Sequence, residues 1–140
     1  MANTLTIGAE TDRLTDGESW TVLHHMTGSI TKAHPYGENM LPYKLEEGDT
    51  IDPSHWEAVA TITNLSRPLM YRLTNNVDES WSREFVGDHE HWSMTLEKPL
   101  EIDEDGKEWG HRSTSKHDIF RNNTTGEMFI LQGYGYAPLV

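Results

Sequence analysis

Histidine has an ordinary pKa closest to neutrality, and eight histidines in a chain of 140 residues are where chemistry would be sought first. The tightest group is Asp88-His89-Glu90-His91. On a strand His89 and His91 would share a face, and such a pair can begin a zinc, copper or iron site. The remaining ligands would have to come from distant positions such as His24, His25, His34, His55, His111 or His117. Two ligands alone are not a site, so the expectation is no metal and no cofactor, with His89 and His91 serving as polar partners of a ligand.

An acid–base pair is the second chemistry that histidine allows. His24 lies on the same alternating face as Trp20, Val22 and Met26, where a carboxylate reaching across a sheet would complete a dyad. A histidine in such an apolar row is more often a hydrogen-bonded core residue. Asp88-His89 and His117-Asp118 are neighbours in sequence, but adjacent strand residues face opposite sides. The chain holds no nucleophile elbow, phosphate loop, dinucleotide fingerprint or H-E-x-x-H helix.

Aromatic residues form the third set. Trp20, Trp56 and Trp92 sit in alternating contexts and read as core. Trp81 in VDESWSRE, Trp109 in DGKEWGHR and Tyr36 in HPYGEN are framed by polar residues. Exposed rings beside carboxylates and amides are what stacking on a sugar or a flat ligand requires, so Tyr36, Trp81 and Trp109 are the expected ligand-binding residues.

The elements that would position these residues read as strands. Alternation is cleanest at 91–98, where Trp92, Met94 and Leu96 interleave with Ser93, Thr95 and Glu97. Residues 56–63 and 68–73 flank a turn, and 4–7, 19–27, 81–86, 107–114 and 127–136 complete eight candidates. One short helical turn is expected near Leu41 to Glu47. Turn pairs such as Asp16-Gly17, Gly87-Asp88 and Asp105-Gly106 punctuate the chain at short intervals. The reading is all-β: residues 1–140 as a single domain, an antiparallel β-sandwich or small β-barrel of about eight strands. Its core should include Ile62, Trp92, Met94, Leu96, Phe129 and Leu131, with Met128-Phe129-Ile130-Leu131 a central strand buried on both faces.

Composition narrows the partners. A net charge of -12, from 11 Lys plus Arg against 23 Asp plus Glu, repels phosphate backbones, so no nucleic acid is expected. No apolar run reaches the roughly 20 residues of a membrane helix, and the first residues lack a basic then apolar segment. A cytoplasmic location without a membrane span is expected. The absence of cysteine excludes disulfides and thiolate chemistry. The acidic run from Glu97 to Glu108 reads as a solvated hairpin loop rather than a calcium loop. The sequons at Asn64, Asn122 and Asn123 read as turn residues.

The segment VATITNLSRPLMYRL, residues 59–73, is similar to strand–turn–strand segments of small β-sandwiches such as fungal lectins and aegerolysin-like proteins. The likeness spans about a tenth of the chain, includes no diagnostic motif and implies nothing about function. Two functions remain. One is a non-catalytic module binding a neutral glycan or small organic ligand. The alternative is a cofactor-free barrel isomerase, cyclase or dehydratase in which His24 and a carboxylate act on an apolar substrate.

Overall fold

The computed structural model describes residues 4–11, 14–15, 17–42, 44–63, 74, 76, 80–132 and 135–140; the expected strand at 68–73 and the sequon at 64–66 lie outside them. The described residues form strands β1 (Leu5–Thr6), β2 (Ser19–His25), β3 (Thr50–Ile51), β4 (Trp56–Thr63), β5 (Gly87–Asp88) and β6 (Ser93–Leu96). Then come β7 (Glu101–Ile102), β8 (Glu108–Trp109), β9 (Ile119–Asn122), β10 (Met128–Leu131) and β11 (Tyr136–Leu139). Seven strands make one antiparallel sheet in the order β11-β10-β9-β2-β4-β6-β5, and β1-β3 and β7-β8 form small sheets beside it. The fold class expected from the alternation is what the chain adopts. No helix among the described residues is long and apolar enough to cross a membrane.

Both faces of the central strands are apolar, and a core cluster packs on each. Trp20, Val22, Ile62, Met94, Phe120, Phe129 and Leu131 belong to one cluster, with Trp92 and Leu96 half-buried against it. Ile7, Leu45, Ile51, Trp56, Ile119, Ile130 and Leu139 belong to the other. The run Met128–Leu131 therefore feeds both clusters alternately, as a strand flanked on both sides by β9 and β11 must. Leu131 is 4% exposed and Leu96 only half-buried. Leu131→Ala is expected to destabilise the protein by at least about 1 kcal/mol more than Leu96→Ala, in parallel urea titrations. Equal losses would contradict the packing described.

Several elements differ from the sequence reading. Residues 81–86 are no strand: Trp81–Glu84 form a one-turn helix, α1, whose first N–H, that of Trp81, is accepted by Asn76 Oδ1 at 2.9 Å. A side-chain oxygen at the start of a turn satisfies a donor that a helix leaves open, and it competes successfully with strand pairing. No helix forms in the described part of Leu41–Glu47, because Leu41 and Leu45 are drawn into the second cluster. Of 107–114 only Glu108–Trp109 pair, and 127–136 divides into β10 and the start of β11. The strand β9 went unread. Its sequence, IFRN, is too short to display a period of two.

β4 departs from simple alternation. Val22 of β2 lies opposite Ala60, but Leu23 lies opposite Ala58, so β4 holds one extra residue, Val59. Val59 and Ala60 consequently both pack into the first cluster. Before this bulge the phase is inverted: Trp56 joins the second cluster, and Glu57 lies directly across from His24 on the same face of the sheet.

Candidate functional site

A cleft of about 580 Å³ opens where β2 ends and β4 begins. Its walls are His24 to Gly28, Glu57 and Val59, Lys98 and Glu101, and Trp109 to Arg112. The bulge in β4 is what delivers Glu57 here, and Lys98 Nζ donates to Glu57 Oε1 at 2.6 Å. The β7-β8 hairpin supplies the opposite wall, with Glu101 directly across from Trp109. Opposite residues of an antiparallel pair project to the same side, so the carboxylate and the indole stand next to each other.

Trp109 is 52% exposed. Its position is held by its own hairpin: Nε1 donates to Asp103 Oδ2 at 2.9 Å, and Lys107 Nζ lies 4.3 Å from the ring centroid. Asp103 Oδ1 also accepts the N–H groups of Asp105 and Lys107. These donors, the Trp109 indole first among them, hold the Asp103 carboxyl below its ordinary pKa. The acidic run is thus a hydrogen-bonded hairpin turn, as its sequence implied.

Beneath the cleft lies a polar bracket. Asp118 is fully buried and accepts two parallel bonds from Arg112, NH1 to Oδ2 at 2.6 Å and NH2 to Oδ1 at 2.7 Å. It also accepts the N–H groups of His25 and Ser115. Such a bidentate pair fixes geometry as well as charge, and here it ties the end of β2 to residues 112–118. His24 sits beside it, 4% exposed, with Nε2 2.9 Å from Thr114 Oγ1 and 4.0 Å from Asp118 Oδ2. Burial pushes its pKa down to about 4; Arg112 and His111 add to the effect, and Asp118 and Glu57 oppose it. His24 is therefore neutral at pH 7. Burial also lowers the pKa values of His25 and His117, whose Nε2 atoms are shielded from solvent with no hydrogen-bond partner among the described residues. His117 holds a left-handed backbone at φ 74°, a conformation histidine tolerates better than most residues.

The expected ligand-binding residues separate into four fates. Trp109 is in the cleft. Trp81 is not an exposed ring: it is fully buried, and its Nε1 donates to the Arg112 carbonyl at 2.8 Å. Its ring lies 6.1 Å from that of His24 and 5.9 Å from that of His111, so it forms the floor under the cleft rather than a surface for a ligand. Ser82, the polar residue that follows Trp81 in the one-turn helix, is itself buried, so a polar neighbour does not mark exposure here. Tyr36 is 75% exposed on the long connection between β2 and β3, outside the cleft.

His89 and His91 line a separate recess with Trp92. They do not share a strand face, because residues 89–92 form the loop joining β5 to β6. His89 stacks on Trp92 at 3.9 Å and donates from Nε2 to the Phe85 carbonyl, while His91 is exposed beside Glu90. Among the described residues no three or more His, Asp or Glu side chains converge as metal ligands would. The Asn122 side chain is buried, and its Oδ1 accepts the N–H groups of Thr124 and Thr125, a turn bond in keeping with the reading of that sequon.

Sequence reasoning missed Glu57, Lys98, His111 and Arg112 as cleft residues. A local signal existed for two of them. Gly110 sits between Trp109 and His111-Arg112 where any Cβ would collide with the Ser80 side chain, so the glycine lets this segment lie against the helix. Comparisons with models of protein families, with characterised proteins and with solved structures gave no match.

Proposed function

We propose that the chain is a non-catalytic binding module whose small organic or glycan ligand lies in this cleft against Trp109. The observation that carries the reading is a half-exposed indole held in place by Asp103 and Lys107 and facing polar side chains across an open cleft. A preset aromatic surface lowers the ordering cost of binding, and hydrogen-bonding groups around it orient the ligand. The acid–base alternative has less in its favour. Nε2 of His24 is engaged with Thr114, and the carboxylate nearest to it is occupied by Arg112 and two backbone donors.

The test is a screen of neutral oligosaccharides and small metabolites by tryptophan fluorescence and calorimetry, repeated on Trp109→Ala. Stacking adds about 0.5–1.5 kcal/mol beyond area burial, so affinity should fall about twofold to tenfold. Stability should change by less than about 0.5 kcal/mol, since the ring is largely outside the core. Ligands whose binding is indifferent to Trp109→Ala would refute the assignment.

A further inference from the structure

Resting on the binding reading, we infer that the group this cleft selects is a protonated primary amine. The donors and acceptors lining it are unequally committed. Arg112 spends its guanidinium on Asp118 and on the carbonyls of Ser113 and His25. Lys98 spends its ammonium on Glu57. The Nε2 of His111 bonds the Lys98 carbonyl, an acceptor only, so the ring must be the donor there. The indole N–H of Trp109 is on Asp103. Each of these groups therefore already has a protein acceptor, with N–H groups to spare only on Lys98 and Arg112. On the acceptor side, Glu101 lines the cleft with no partner among the described residues, and Glu57, as a carboxylate, has room for donors beyond Lys98.

The charges point the same way. Arg112 is matched by Asp118 and Lys98 by Glu57, and among the described residues no ion pair reaches Glu101, in a chain of net charge -12. Glu101 stands directly across the hairpin from Trp109, whose ring already attracts one cation, Lys107. An ammonium placed between that carboxylate and the ring would meet an ion-pair partner and a π face together. An anion would meet the Glu101 carboxylate and the unfavourable field of a chain of net charge -12.

Amino sugars and polyamines both carry this group, and the experiment separates them. Binding of a glucosamine tetrasaccharide, its fully N-acetylated counterpart and spermidine is measured at pH 6 by calorimetry, for the wild type, Glu101→Gln and Trp109→Ala. The expected result is that the tetrasaccharide, spermidine or both bind about tenfold more tightly than the acetylated sugar, the combined size of a cation–π contact and an exposed ion pair. Whichever binds identifies the source of the amine. Glu101→Gln should cut this preference to about the twofold to fivefold that the cation–π contact alone supplies and remove the accompanying salt dependence, while Trp109→Ala should weaken every ligand. Glu101 is exposed, so its substitution leaves the fold intact. Acetylated sugar binding as tightly as the amine would overturn the inference and leave the cleft assignment standing. No binding by any of the three probes would overturn the inference, and failure of the wider neutral panel as well would remove the cleft assignment with it.

Discussion

Trp81→Ala is expected to lower folding stability by about 3–5 kcal/mol, the range for deleting a buried tryptophan. The side chain is fully buried between the rings of His24 and His111, and its truncation would leave a void beneath the cleft. It would also strip the Arg112 carbonyl of its indole donor and loosen the segment that carries the Arg112–Asp118 pair. Trp81→Phe keeps most of the volume but loses the N–H, and should cost less, about 1–2 kcal/mol from the unsatisfied carbonyl. Urea unfolding of both variants measures this. Were Trp81 a ligand-stacking ring, Trp81→Ala would abolish binding and leave stability nearly unchanged, the opposite pattern.

Stability should also fall steeply as the pH drops from about 6.5 to about 4. In the unfolded chain His24 takes up a proton below its ordinary value of 6.5, whereas in the fold it stays neutral down to about 4. Across that window the unfolded state binds more protons, so acidification favours unfolding. His24 alone accounts for roughly 3 kcal/mol, from 1.36 kcal/mol per pKa unit. His25 and His117, also lowered by burial, add in the same direction from the same upper limit. Asp52 and Asp103 are lowered too, and as carboxylates they contribute only at more acid pH. Thermal unfolding between pH 7.5 and 4.5 gives the profile. His24→Gln, which can still bond Thr114, should flatten it, and an unchanged slope in that variant would place the effect elsewhere.

What the sequence made legible was the period and what lies under it. Met94, Ile62, Phe129 and Leu131 are buried where alternation placed them, and the double-faced run at 128–131 is a central strand. The cleft was barely legible, for three physical reasons. Its two acidic members come from β4 and β7, far apart in the chain, and only pairing brings them near Trp109 and His24. Trp81 was misplaced because polar neighbours indicate exposure on a strand but say little in a single helical turn. The face of Glu57 was inverted by the bulge, for strict alternation from Ile62 backwards would have turned Trp56 towards His24.

That extra residue in β4 also makes one strand into two separately mutable halves. Changes at Glu57 alter what the cleft can hold while the contacts of Ile62 with the first cluster stay as they are. Changes at Ile62 test folding while the ligand-facing position keeps its identity. Deleting Val59 would make β4 regular without turning either half over, because Ala60, Ala58, Glu57 and Trp56 already stand opposite Val22, Leu23, His24 and His25. Glu57 would stay beside Lys98 and Trp56 in the second cluster, so the cleft would keep its carboxylate while the first cluster lost the Val59 side chain.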